Sequence, residues 1–262
     1  MKNIIGVMSS TYVHYGLSDA LRGIANSGFK YIELCSIPGM MDHVFFDADD
    51  IKKCGKLCKE YGIKILGIGA HERLMKEDAV KNFKKCIDLA GDLEVGYITT
   101  GTGNVESEED RIKFYREISL LGEYAAKRNI SICLEIHGDW LNNGKVATDV
   151  VKDINMGNIK INYDTANVIF YGNTRPEKDI KNALGNLGYV HLKDKRGGYK
   201  VWDFPALGEG EIDFKVIFEA LQEYKGPMCV EIELDGKEHS LEEVDEAVKT
   251  SYLFLKDFGL VS

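Results

Sequence analysis

Short runs of β-branched and aromatic residues alternate along this chain with longer stretches whose apolar positions recur at helical spacing. The strand-like runs are "NIIGVM" (3–8), "YIELC" (31–35), "KILGIGA" (64–70), "YITTGTG" (97–103), "SICLEIH" (131–137), "IKINYD" (159–164), "YVHLKD" (189–194) and "MCVEIEL" (228–234). Between them lie amphipathic stretches such as "DIKKCGKLCKEYG", "EDAVKNFKKCIDLAG" and "EEDRIKFYREISLLGEYAAKRN", and a last helical segment spans about 240–258. Strands that alternate with helices pair in parallel through right-handed crossovers. Eight such units, at roughly thirty-residue spacing, predict a closed α/β barrel, the (β/α)8 TIM barrel, rather than an open sheet. No composition shift or linker divides the chain, so residues 1–262 are expected to form a single domain. The sixth unit, "NVIFYGNTRPEKDIKNALGN", leaves room for only a short helix. The longest irregular stretch, 195–213, carries Trp202, Phe204 and Leu207 and is expected to be ordered.

Composition narrows the class. The 262 residues are 44% hydrophobic with four prolines, enough to bury a sizeable core, and the formal net charge of -9 argues against a nucleic-acid partner. The six cysteines (35, 54, 58, 86, 133 and 229) include no C-x-x-C pair; Cys133 and Cys229 lie within apolar strands and read as small hydrophobes. Cys54 and Cys58 are four apart on a helix with no following pair of histidines at zinc-site spacing, so all six read as reduced thiols. The opening "MKNIIGVMSS" is too short an apolar run for a signal peptide, and no segment approaches the roughly 18 apolar residues of a membrane span. The expected location is cytoplasmic, with no membrane partner.

The candidate chemistry lies at the strand ends, where barrel enzymes carry it. Strand five ends in Glu135 and His137, strand six in Asp164, strand seven holds His191 and Lys193, and strand eight holds Glu231 and Glu233. Glu135, Asp164, His191 and Glu231 are separated by 29, 27 and 40 residues, about one βα unit each, so four successive strands bring Glu, Asp, His and Glu to one rim. Three carboxylates and an imidazole on one rim call for a divalent cation: Mn²⁺ is the leading candidate, and Mg²⁺, Co²⁺ and Zn²⁺ also suit such ligands. Further pocket candidates are Glu33 after strand two, His71 after strand three, His137, Asn167, Lys193 and Trp202, whereas His14, His43 and His239 are expected away from the rim. Plainer roles exist for several: Asp164 can cap the following helix, Glu33 can pair with Arg22 or Lys30, His71 can be a surface loop residue, and Trp202 can anchor its loop.

"LEIH", "NYDTAN", "VHLKD" and "VEIE", in this order and spacing, resemble the sugar phosphate isomerase/epimerase superfamily of xylose isomerase-like TIM barrels over nearly the whole chain. The resemblance implies metal ligation by Glu135, Asp164, His191 and Glu231, with Glu135 and Glu231 doing acid/base work. It also implies a small carbohydrate substrate and a homo-oligomer, dimer or tetramer. Two departures stand out: where ketose 3-epimerases read D-T-x-H, this chain has Asn167 in "DTAN", and Lys193 and Arg196 stand at different offsets from the expected Arg. Isomerase, epimerase, dehydratase and lyase outcomes therefore remain open, all through proton abstraction next to a carbonyl and an enediolate. An endonuclease IV-like phosphodiesterase would need more histidines than the six present, and a non-catalytic sugar-binding subunit would not need two glutamates at acid/base positions.

Overall fold

The computed structural model describes residues 4–37, 41–44, 48–71 and 74–262. Eight parallel strands form the barrel: β1 (Ile5–Met8), β2 (Tyr31–Ile37), β3 (Lys64–Gly69), β4 (Tyr97–Thr100), β5 (Ser131–Glu135), β6 (Ile159–Asp164), β7 (Leu187–Leu192) and β8 (Met228–Val230). Each pairs with its sequence neighbours, and β1 pairs with both β2 and β8, which closes the barrel. A two-residue strand, Met41–Asp42, adds antiparallel to the end of β2. Several strands are shorter than the apolar runs suggest. β5 ends at Glu135 rather than 137, and β8 ends at Val230, so Glu231 and Glu233 follow the strand instead of lying within it.

The strands are buried on both faces, yet their period of two still sorts chemistry from packing. On β5, Ile132 and Leu134 join the large core beneath the helices, while Cys133 and Glu135 take the other parity. The same split places Ile32 and Leu34 against the helices with Glu33 and Cys35 inward, and Val190 and Leu192 outward with Tyr189 and His191 inward. A separate cluster of Met8, Cys35, Cys133, Tyr189 and Cys229 fills the lumen. It forms a dry layer below the carboxyl ends of the strands. No disulfide joins the described residues, and all six cysteines are buried thiols.

The outer ring is formed by α1 (Leu17–Ser27), α2 (Ala48–Glu60), α3 (Ala79–Asp92), α4 (Glu108–Ala126), α5 (Gly144–Ile154), the short α6 (Asn167–Phe170) and α7 (Pro176–Asp179), α8 (Phe214–Ala220) and α9 (Leu241–Asp257). Reciprocal capping boxes start α4 (Ser107 with Asp110) and α9 (Ser240 with Glu243). The sixth unit is, as its sequence suggests, two single-turn helices. No described helix is long and apolar enough to cross a membrane. The 195–213 stretch is ordered by an antiparallel bridge in which Phe204 N donates to Leu234 O (2.8 Å) and Leu234 N to Phe204 O (2.9 Å).

Asp179 ties the short sixth unit to its neighbours. Its Oδ2 accepts from Gly144 N (2.6 Å) at the start of α5 and from the Tyr163 hydroxyl (3.1 Å) on β6, and its Oδ1 accepts from Asn182 (3.0 Å). Asp179→Ala would leave a buried N–H and a buried hydroxyl without partners, so it is expected to lower unfolding free energy by about 2–4 kcal/mol. Urea titration checks this, with Asp179→Asn expected to retain part of the loss; a drop below about 1 kcal/mol for the alanine variant would show that these bonds are replaceable.

Candidate active site

Register brings the strand-end residues together. Asp164 on β6 pairs directly with His191 on β7, and Glu135 on β5 pairs with Asn162, two residues before Asp164. Glu231 continues β8 in line, its N–H donating to Leu192 O at 3.1 Å. One ligand atom from each of Glu135, Asp164, His191 and Glu231 lies within 4.8 Å of all the others, and all four residues are buried.

Each side chain is held by one edge. Asp164 Oδ1 accepts from Ala166 N (2.8 Å) and Asn167 N (2.7 Å), capping α6, while its Oδ2 has no hydrogen-bond partner among the described residues. The capping role anticipated for this residue is thus real, and it occupies only one of the two oxygens. Glu135 Oε1 accepts from Asn167 Nδ2 at 3.0 Å. Glu231 Oε1 accepts from Lys193 Nζ at 3.2 Å. The remaining oxygen of each glutamate, Oε2, accepts no well-formed hydrogen bond. Each has only an ion-pair contact with an imidazole: His71 Nε2 lies 2.7 Å from Glu135 Oε2, and His191 Nδ1 lies 3.1 Å from Glu231 Oε2.

Five carboxylates (Glu33, Glu135, Asp164, Glu231 and Glu233) surround one ammonium, Lys193, and two imidazoles, His71 and His191. The imbalance shows in the acidities. Burial pushes the Asp164 carboxyl well up, reinforced by the charges of Glu231 and Glu135 and only partly countered by Lys193. Burial opposes charge on His191, but the Glu33 carboxylate and the close contacts with Glu135 and Glu231 outweigh it and raise its pKa well above the ordinary imidazole range. Glu231 is likewise pushed up by burial, but Lys193 and His191 overcome this and hold it below the usual range. Unpartnered buried oxygens beside a carboxylate that can shed its charge only by taking a proton are the signature of a site missing positive charge. The O3N donor set fits a divalent cation of the Mn²⁺, Mg²⁺, Co²⁺ or Zn²⁺ type.

The pocket candidates divide into two groups. His71, His137, Asn167, Lys193 and Trp202 line a cavity of about 880 Å³, and Glu135 and Glu231 form part of its wall. Glu33 does not line it. It lies within β2 rather than after it, fully buried, where parity turns it into the lumen and away from Arg22 and Lys30. There Oε2 meets His191 Nε2 at 2.9 Å and Oε1 accepts from Thr99 Oγ1 at 2.5 Å. With Nε2 engaged, the Nδ1 edge of His191 faces the cluster. His14 and His239, expected away from the rim, line the same cavity; His14 follows the turn after β1 and His239 immediately precedes α9, both at the carboxyl end of the barrel. Trp140 and Tyr171 also line it, with the Tyr171 hydroxyl 3.1 Å from His137 Nε2. Nothing in the period-two pattern marks these loop residues. Glu233 was visible by parity, and it pairs with Lys193 at 2.7 Å instead of joining the cluster.

Comparison with known proteins follows the same lines. The family model described as "Xylose isomerase-like TIM barrel" matches residues 21–258. An L-ribulose 3-epimerase of Methylomonas sp. (strain DH-1) is 26% identical over 247 residues, covering 86% of this chain and 81% of that protein. An inosose dehydratase of Geobacillus thermodenitrificans (strain NG80-2) is 26% identical over 149 residues, about half of each chain (50% of both). Among solved structures, D-allulose 3-epimerase from Methylomonas sp. in complex with D-allulose superposes with a TM-score of 0.77 at 21% identity, covering 98% of this chain and 97% of that one. A xylose isomerase domain protein from Planctomyces limnophilus gives 0.79 at 21% identity, covering 99% and 98%.

Glu33 supplies a sharp test because it holds the Nε2 edge of His191 without lining the cavity itself. Glu33→Ala is expected to weaken Mn²⁺ binding by about 10–100-fold, the usual cost of losing an outer partner of a ligating histidine. Calorimetric titration of the metal-free protein measures this; unchanged affinity would show that Glu33 does not orient His191.

Proposed function

Since the chain belongs to the xylose isomerase-like TIM-barrel family, we propose that it is a divalent-metal-dependent epimerase or isomerase that moves the proton on a carbon adjacent to the carbonyl of a keto-sugar. The observation that carries this reading is the disposition of the two glutamates. Glu135 comes from β5 and Glu231 from the end of β8, with β6 and β7 between them, so they approach the cavity floor from different sides. Each is anchored through Oε1, by Asn167 or by Lys193, and each keeps Oε2 outside any regular hydrogen bond. Two anchored carboxylates with one uncommitted oxygen apiece are what a two-base proton transfer requires.

Glu135, Asp164, His191 and Glu231 would hold the cation, Mn²⁺ first among the candidates, and the chemistry it supplies is Lewis-acid polarisation of the substrate carbonyl. The chain's own groups do the rest. One glutamate Oε2 accepts the proton from the carbon next to the carbonyl, and the bonding electrons pass into the enediolate. The other glutamate, which enters the cycle protonated, gives its proton to the enediolate. Return to the opposite face of the same carbon inverts it, giving epimerisation; return to the neighbouring carbon exchanges the carbonyl and hydroxyl positions, giving isomerisation. His71, whose pKa is raised by the Glu135 carboxylate against the pull of burial, is placed to share the proton carried by Glu135. His137, Asn167 and Lys193 stand along the wall for the substrate's remaining oxygens.

A second reading, dehydration, is favoured by Lys193. Its side chain is only 3% exposed, its ammonium reaches Glu231 and Glu233, and it is held charged by them although burial opposes it. A buried ammonium beside the proton carrier can protonate a hydroxyl leaving from the carbon β to the carbonyl, so that the enediolate collapses by elimination and water departs. Asn167 points the same way, since its amide cannot exchange a proton as the histidine at this place in ketose 3-epimerases can.

Two measurements test the proton-transfer reading. Glu135→Gln and Glu231→Gln are each expected to lower turnover by about 10²–10⁴-fold, while the fold, by circular dichroism, is retained. Losses below about tenfold in both would move the acid/base work to Lys193 or His137. Removal of metal with EDTA should abolish activity on D-allulose, L-ribulose or an inosose, and Mn²⁺ should restore it. Full activity after chelation would rule out the metal-dependent reading. Incubation in D₂O tells the outcomes apart: epimerisation and isomerisation return a deuterated sugar, elimination a deuterated dehydration product.

A further inference from the structure

The cavity has two chemically different zones. Its floor is the polar cluster, where Glu135, Glu231 and Lys193 are nearly inaccessible. From there a column of side chains rises to the mouth: the Lys193 ammonium lies 4.5 Å from the Phe204 ring centre, Phe204 lies 5.1 Å edge-to-face from Trp202, and Phe170 lies 5.7 Å from both rings. Trp202 remains 46% exposed although it packs on two phenyl rings. It therefore presents surface to the solvent-filled mouth as well as anchoring its loop. The indole also rests against the bare backbone of Gly236, where a Cβ would come within 2.9 Å of its Cδ1 and Nε1. Trp140 lines the same cavity. The total volume, about 880 Å³, falls toward the upper end of the range seen for sites that enclose drug-sized ligands.

A free ketose bears a hydroxyl on nearly every carbon and asks for hydrogen-bond partners along its whole length. Here the buried charged partners sit on the floor, and the wall above them adds, beside polar groups, the exposed aromatic surface of Trp202. Such faces take up the C–H face of a second sugar ring or the plane of an aromatic group. Building on the keto-sugar reading above, we propose that the substrate is a keto-sugar bearing a ring substituent, a glycoside whose reacting ring sits on the floor and whose second ring stacks on Trp202. Phe170 and Phe204 pack nearly perpendicular to the indole and fix its position, while about half of its surface stays exposed. The charged floor selects the carbonyl-bearing ring, and the mouth selects the attached one.

Binding of matched pairs to the full-length, Mn²⁺-loaded protein tests this. D-fructose against isomaltulose adds a glucosyl ring to the same ketose, and methyl against phenyl 3-keto-β-D-glucopyranoside adds an aromatic one. Calorimetry and tryptophan fluorescence both report seating, since the chain's two tryptophans, Trp140 and Trp202, line the cavity. At least one ring-bearing ligand is expected to bind about tenfold or more tightly than its partner, equivalent to about 1.4 kcal/mol. The pair that shows the preference identifies the second ring as sugar or aryl. In Trp202→Ala the preference should fall below about threefold, with Trp140 still reporting. Affinities within about threefold for both pairs, or a preference that survives Trp202→Ala, would overturn the proposal. Following exchange of the carbon-bound proton with D₂O in the same samples separates the two ideas. Exchange without a ring preference removes the glycoside inference alone, whereas a ring preference without exchange supports it and removes the proton-transfer reading.

Discussion

Negative charge buried without enough positive charge to balance it governs this structure. Five carboxylates converge at the carboxyl end of a closed barrel on one ammonium and two imidazoles. In so dry a place an isolated charge costs far more than any single packing contact returns. Every other feature of the site follows from managing that cost. Asp164 gives one oxygen to a helix turn, Asn167 and Lys193 each hold a glutamate by one oxygen, and Glu33 braces the back of His191. These bonds leave one oxygen of each of three carboxylates without a hydrogen bond, in a cluster that with His191 brings one ligand atom per residue within 4.8 Å of the others.

Much of this could be read in the sequence, because a β-strand has a period of two and a barrel has one inside. Glu135, His191 and Glu231 share parity with Cys133, Tyr189 and Cys229, the residues that fill the lumen, while Leu134, Val190 and Val230 share parity with the helix-facing core. The alternation therefore places the chemistry on the inward face. The spacing of one βα unit put it on neighbouring strands. Glu33 follows the same parity, yet it is fully buried and does not reach the cavity. Its partners, Thr99 and His191, are 66 and 158 residues away, and parity alone does not say how deep in the lumen a side chain stops. The loop residues His14, His239, Trp140 and Tyr171 carry no periodic signal, since their positions depend on how each loop returns across the barrel end.

The same division explains how one scaffold accommodates related reactions. Strand-borne groups are fixed by the ladder and by outer partners that are themselves buried. The walls above them come from segments outside the strands: the 195–213 stretch, the residues after β8 and the turn at Asn167. Changing a wall residue leaves the charged floor intact, so what the cavity accepts can shift without rebuilding the barrel. Asn167 shows how small such a change can be. It sits on the first residue of α6, caps nothing with its side chain, and spends its amide on Glu135.

The Phe204–Leu234 bridge has a mechanical meaning. It joins the stretch carrying Trp202 to the segment carrying Glu231 and Glu233, and Lys193 lies between them, touching both glutamates and the Phe204 ring. Mouth and floor are thus connected, and a load placed on the indole is passed through the bridge and Lys193 toward Glu231. In such an arrangement, intrinsic binding energy gathered far from the reacting carbon need not appear as affinity. It can be spent on alignment at the C–H bond, so that trimming the remote part of a substrate slows the chemical step itself.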